Sequence, residues 1–136
     1  MNRDEMQQRG IDWDLEGCLE FNPQDGFRLE DIESVLAVWE GENDGDDWRW
    51  ILQLKDERII FLQGGCDYTG WDCRSWADHI VCVTVEQALN SPELGQWNNN
   101  HEEVIAELTK QIGDQEKRKT FFERMDGEFP DVPTIE

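Results

Sequence analysis

The stretch Trp48-Arg-Trp-Ile-Leu-Gln-Leu-Lys-Asp-Glu-Arg-Ile-Ile-Phe-Leu-Gln63 predicts two strands joined by a short turn. Its first half alternates, so that Trp48, Trp50, Leu52 and Leu54 share one face of a strand. The polar turn Lys55-Asp-Glu57 follows directly, and a second, apolar strand runs from 58 to 63. Strands joined by so short a turn pair antiparallel, so this hairpin decides the fold class.

The neighbouring segments extend the hairpin into a meander. A short helical turn at 29–33 leads into a predicted strand at 34–40, and a cluster of turn residues fills 41–47. The run His79-Ile-Val-Cys-Val-Thr-Val85 is rich in β-branched residues and predicts a further strand. Between the strands, residues 64–78 have neither helical nor strand periodicity, and we expect a shaped central loop there. The sheet is therefore predicted at 34–85.

The two ends of the chain are predicted to differ. Residues 1–28 are polar and are expected to form an irregular segment. Residues 85–90 predict a short helix and 93–100 a linker. A helical C-terminal part at 100–126 is expected to be interrupted at Gly113. Four residues predict its apolar face: Val104, Ile105, Leu108 and Ile112.

These elements predict a single domain of the α+β class over residues 1–136. A small, mostly antiparallel sheet of about four strands packs one face against the C-terminal helices. A chain of 136 residues with seven Trp and six Phe can bury a substantial core despite its high charge.

The net charge of −20 limits the partners of the chain. It argues against direct binding of nucleic acid, which needs a basic face, and against anionic membrane surfaces. There is no long apolar run or N-terminal signal region, so no membrane span and a cytosolic location, in a cell or an infected host, are expected. The charge permits two interpretations: it confers solubility, or its carboxylates imitate nucleic-acid phosphates on a basic site of another protein.

The excess charge is unevenly distributed. Residues 30–47 contain eight acids and no base, whereas 48–85 contain five acids and four bases. A base-free run is what a phosphate mimic requires. The candidate partner-binding acids of this run are Glu40, Glu42, Asp44, Asp46 and Asp47.

The predicted central loop adds four candidate partner-binding residues: Asp67, Tyr68, Trp71 and Asp72. Trp71 is expected either to fill its own fold or to dock a partner, because a large apolar side chain is costly to leave uncovered. With Tyr68 it would anchor a protein interface.

The cysteines leave an alternative function open. Cys66, Cys73, His79 and Cys82 are the ligand types of tetrahedral zinc, although their spacing departs from the common zinc motifs. A small-ligand or zinc-binding domain is therefore the alternative to a protein-binding module. Reduced structural cysteines are the simpler interpretation, and a cytosolic location disfavours a Cys66–Cys73 disulfide. No catalytic signature is present, so we expect a non-enzymatic protein without a cofactor.

The run Gly64-Gly-Cys-Asp-Tyr-Thr-Gly-Trp-Asp-Cys-Arg-Ser-Trp76 resembles small acidic proteins of bacteria and their phages that share a Cys-Asp-Tyr-Thr-Gly-Trp-Asp-Cys motif. The resemblance covers 35–89 and implies no activity. In composition, the short, acidic, Trp-rich chain is also similar to phage-encoded inhibitors of host defence, including anti-CRISPR proteins. This likeness in composition implies an acidic module that occupies a basic nucleic-acid-binding site of a host protein. The C-terminal helical part would also allow a homodimer.

Overall fold

In a computed structural model of the chain, the structure describes residues 5, 8, 10, 12–90 and 101–128, with the side chains of 102–114 and 116 in the last helix. Its helices and strands follow one another as α1 (Asp12–Phe21), β1 (Ile32–Trp39), β2 (Trp48–Leu54), β3 (Ile59–Asp67), β4 (Gly70–Cys82), α2 (Val85–Leu89) and α3 (His101–Glu128). A short 3-10 turn, Leu29–Asp31, precedes β1.

The four strands form one antiparallel sheet in the order β1-β2-β3-β4. The predicted α+β class and the four-stranded meander are therefore confirmed. β2 begins and ends where the alternating sequence predicts, and it pairs with β3 from Trp48 opposite Gly64 to Gln53 opposite Ile59. Because the strands follow one another directly, the β1–β2 and β3–β4 connections lie at the same end of the sheet, and the β2–β3 turn lies at the other.

Helices cover both faces of the sheet. On one face, the alternating residues of β2 pack with Leu15, Cys18 and Leu19 of α1. On the other face, Ile51 and Phe61 pack with Val104 and Leu108 of α3. The predicted packing against C-terminal helices is correct, but α1 adds a layer that the sequence did not predict. Burial on both faces explains why β2 and β3 are almost continuously apolar.

The prediction that 1–28 is irregular is wrong for residues 12–21, which form α1. The alternation of Trp13 and Leu15 suggested an extended segment, but Leu15, Cys18 and Leu19 have helical spacing and face the sheet. Trp13 lies outside that buried face, so the alternation did not reflect burial.

The predicted central loop at 64–78 is also wrong, because these residues belong to β3 and β4 and to the two-residue turn between them. Gly64 and Gly65 are not turn residues. A Cβ added at Gly64 would lie 2.9 Å from Sγ of Cys18 and 3.0 Å from the carbonyl oxygen of Trp76. Glycine is required there because helix α1 and strand β4 approach the β3 backbone closely.

The C-terminal part is helical as predicted, but α3 continues through Gly113 without interruption. A Cβ at Gly113 would meet nothing within 4 Å, so glycine there lowers helix propensity without a steric reason to break the helix. The predicted short helix is present as α2, with Thr84 as its N-cap. The predicted linker at 93–100 lies outside the described residues. None of the described helices is long and apolar enough to cross a membrane.

Candidate functional site

The structure brings together two acidic segments that are separated in sequence. The β1–β2 loop, residues 40–47, contacts the start of the β3–β4 hairpin: the Asp44 amide donates to the Cys66 carbonyl at 2.9 Å, and the Cys66 thiol donates to Oδ1 of Asn43 at 3.2 Å. We call residues 40–47 and 66–74 the acidic end. An open groove there has lining residues from both segments, among them Asp44, Asp47 and Asp67, with the exposed Arg74 beside them.

The β1–β2 loop presents three acids to solvent. The side chains of Glu40, Glu42 and Asp44 are exposed. The backbone between them is compact, because the Glu42 amide donates to the Asp46 carbonyl at 2.8 Å and the Gly45 amide donates back to the Glu42 carbonyl at 3.1 Å. These bonds therefore fix the backbone positions from which the carboxylates project.

Asp46 and Asp47 turn inward instead. Asp46 accepts a hydrogen bond from Trp39 Nε1 at 2.9 Å and lies 3.7 Å from Nη1 of Arg49. Asp47 accepts from Nε2 of Gln63 at 3.2 Å. Arg49 is only 1% exposed, and its burial lowers the pKa of the guanidinium although Asp46 and Asp47 oppose that shift. These two predicted partner-binding acids therefore anchor the loop to the sheet.

The tip of the β3–β4 hairpin presents an aromatic side chain. Oδ1 of Asp67 accepts from the Thr69 amide at 2.9 Å and from its hydroxyl at 2.6 Å, and these bonds lower the pKa of Asp67. Gly70 closes the turn at φ 104°. Tyr68 is consequently held 78% exposed at the tip, and Asp72 is exposed beyond it.

Trp71 fills its own fold, so its predicted role as a partner contact is wrong. It is 8% exposed, with its ring centroid 5.3 Å from that of Trp48 and 6.4 Å from that of Trp50. Its Nε1 donates to Oδ1 of Asp14 at 3.1 Å. Gly17 makes room for the ring, because a Cβ there would lie 2.9 Å from Trp71 Cδ1.

An exposed aromatic residue that the sequence reasoning missed is Trp13, which is 76% exposed. It lies one helical turn before Gly17, on the same side of α1, and next to Asp14. Both Gly17 and Asp14 contact Trp71, so Trp13 belongs to the same end of the molecule as the β3–β4 hairpin. The sequence could have predicted this exposure: if residues 12–21 form a helix, Trp13 lies outside the face formed by Leu15, Cys18 and Leu19.

The partial burial of Asp14 makes stability depend on pH. Burial raises the pKa of Asp14 and the nearby Asp12 adds to the rise, against the lowering effect of the Trp71 hydrogen bond. A raised folded-state pKa means that the ionised carboxylate reduces stability above the usual Asp range. We therefore expect Asp14→Asn, which keeps an oxygen acceptor for Trp71, to raise the Tm at pH 7. The gain should shrink as pH falls towards 3.8, where Asp14 becomes protonated in both states.

Thermal unfolding of the two proteins between pH 3 and pH 7 measures this difference. Asp12→Asn is the comparison variant: it removes a charge from the same helical turn and relieves only the smaller, Coulombic contribution to the Asp14 pKa, so its gain should be smaller. An equal gain from both substitutions, or a loss from Asp14→Asn at pH 7, would contradict the assignment.

The structure does not assemble the alternative zinc site. Cys82 packs on the face covered by α2 and α3, whereas Cys66 packs on the face covered by α1. His79 lies against Phe27, which is also on the face covered by α1, and its Nδ1 is 2.6 Å from Oε1 of Gln24. Within the described part of the chain, which includes all these residues, no group of three metal-ligating side chains could hold an ion. The structure therefore gives no support to the zinc alternative.

Three of the thiols and the imidazole are also unsuited to nucleophilic chemistry. All four cysteines are free. Burial, together with the charges of Asp14, Asp67 and Asp47, raises the pKa of Cys66 to about 11. Burial likewise raises the pKa values of Cys18 and Cys82 and lowers that of His79. The three thiols therefore stay protonated near neutral pH, and His79 is neutral and hydrogen-bonded.

No protein-family model, curated protein or solved structure matches the chain.

Proposed function

We propose that this protein is a non-enzymatic binding module whose acidic end docks on a basic surface of another protein. The observation that carries the proposal is the convergence of the β1–β2 loop and the β3–β4 hairpin, which brings Asp44, Asp47 and Asp67 to one groove, with the exposed Tyr68 next to Asp67 in the chain. Complementary charge of this kind accelerates encounter and selects the partner.

The rigidity of the acidic end supports a binding role. Asp46 and Asp47 fix the loop to the sheet through Trp39 and Gln63, so Glu40, Glu42 and Asp44 need little further ordering when a partner binds. A surface that is already ordered loses less conformational entropy on association.

The target we propose is a basic surface that otherwise binds nucleic-acid phosphates. Rows of carboxylates on a fixed scaffold offer such a surface the same charge that a phosphate backbone offers. The protein would then compete with nucleic acid, which is the mode of action expected of an inhibitor of host defence. Protonated thiols and a neutral, hydrogen-bonded His79 favour this role over catalysis.

The test is capture of partners from a lysate of the native host, or of its phage-infected form, at low and high salt. We expect a nucleic-acid-binding protein to be retained at low salt, released at high salt and displaced by added DNA or RNA. The variant Glu40→Gln, Glu42→Gln, Asp44→Asn should retain at least tenfold less of it, because three exposed carboxylates of the contact are lost.

The matched control removes three exposed acids elsewhere: Glu86→Gln, Glu102→Gln, Glu103→Gln. It changes the net charge equally but leaves the acidic end intact, so capture should stay close to that of the parent protein. Equal losses in the two variants would show that only net charge matters. Capture that resists nucleic-acid competition would contradict the proposed target.

A further inference from the structure

Two strongly exposed aromatic side chains, Trp13 and Tyr68, lie at the end of the molecule that holds the acidic end. Trp13 belongs to α1, whose Asp14 and Gly17 contact the buried Trp71, and Tyr68 belongs to the hairpin turn that precedes Trp71 in the chain. Large aromatic residues are costly to expose, and at protein surfaces they are enriched where a partner covers them.

Each of these aromatic residues follows an acid in the chain, Trp13 after Asp12 and Tyr68 after Asp67. Asp14, which follows Trp13, is half-buried and accepts a hydrogen bond from Trp71. The side chain of Asp67 is fixed by Thr69, and the Thr69 bonds keep its pKa low, so its charge is permanent at neutral pH.

An aromatic face next to a carboxylate fits one cationic side chain better than the other. The planar guanidinium of arginine stacks on an aromatic ring while its N–H groups reach a carboxylate, and it is less strongly hydrated than an ammonium. Lysine offers a compact, strongly hydrated point charge that gains less from the ring. Carboxylates without an aromatic face would distinguish the two less strongly.

We propose that the acidic end recognises arginine in its partner, with guanidinium groups stacked on Trp13 and Tyr68 and paired with the neighbouring acids. This inference rests on the proposed function and adds to it the chemistry of the partner surface. The occupant is an arginine-rich segment or patch of a protein, in preference to an equally charged lysine-rich one.

The experiment uses two synthetic peptides of equal length and charge, one of repeated Arg-Gly-Ser and one of repeated Lys-Gly-Ser. Their affinities for the full chain are measured by titration calorimetry at low salt. Two exposed cation–aromatic contacts predict that the arginine peptide binds about 5- to 30-fold more tightly. In Trp13→Ala, Tyr68→Ala the preference should fall to about twofold or less, with a smaller loss of affinity for the lysine peptide than for the arginine peptide.

Phe21→Ala is the matched control, because Phe21 is 49% exposed at the other end of α1. It should leave the arginine preference intact, and circular dichroism should show that all variants are folded. Equal binding of the two peptides, or a preference that survives in the double variant, overturns the inference but leaves the charge-based function standing. Failure of both peptides to bind overturns the inference and the proposed function together.

Discussion

Trp71→Ala is expected to lower the free energy of unfolding by about 3–5 kcal/mol, the cost of truncating a large buried aromatic side chain. The indole fills the space between Gly17 of α1 and the Trp48 and Trp50 rings of the sheet. Its removal also leaves the half-buried Asp14 without the hydrogen bond that favours its charged form. Urea denaturation followed by circular dichroism measures the change.

Trp71→Phe should cost less, because the ring remains and only the indole N–H and part of the volume are lost. Tyr68→Ala provides the control from the same hairpin: its side chain projects into solvent, so the change should stay within about 0.5 kcal/mol. A Trp71→Ala protein as stable as its parent would show that the indole does not join α1 to the sheet.

Asp46→Ala is expected to cost about 3 kcal/mol, at the low end for breaking a buried ion pair, because the Asp46 side chain is 27% exposed and Asp47 still acts on Arg49. Without Asp46, the Arg49 guanidinium is left in the core with its nearest carboxylate gone, and Trp39 Nε1 loses its acceptor. Denaturation in urea reports the loss. Glu42→Ala, in the same loop but exposed, should change stability by no more than about 0.5 kcal/mol.

A second substitution, at Arg49, tests whether the unpaired charge of the guanidinium accounts for the loss of stability in Asp46→Ala. Asp46→Ala combined with Arg49→Met should regain most of the stability, because an apolar side chain of similar length needs no partner in the core. A double variant less stable than Asp46→Ala alone would mean that Arg49 contributes something other than the ion pair.

The strands that the sequence predicted well are those in which one signal dominates. β2 alternates so regularly that its bounds and its two faces follow directly. α1 was missed because its few apolar residues fit two periods: Trp13 and Leu15 suggest alternation, while Leu15, Cys18 and Leu19 suggest a helix. Only packing against the sheet decides between them.

The β3–β4 hairpin was missed for a different reason. β4 is an edge strand with many exposed positions, so its sequence is polar and mixed, and glycines imposed by close neighbours look like turn residues. Its strand character comes from pairing with β3, as in Gly65 opposite Trp76, and not from local propensity.

The sequence predicted where the candidate site lies but not which of its side chains are exposed. Both acidic segments stand out in the sequence, and a meander places the β1–β2 loop and the β3–β4 turn at the same end of the sheet. Which acids turn inward was not predictable, because it depends on Arg49 and Gln63 lying beneath the loop. The burial of Trp71 likewise required knowledge of α1.

The same meander distributes charge unevenly among its three connections. The β2–β3 turn at the far end of the sheet carries Lys55 and Arg58 together with Asp56 and Glu57, and its charges cancel. The two-residue β3–β4 turn has no charge of its own, so the β1–β2 loop, with its five acids, is the connection that carries uncompensated negative charge. In the field of a cationic surface that loop is attracted before contact is made, so encounters that present it are favoured.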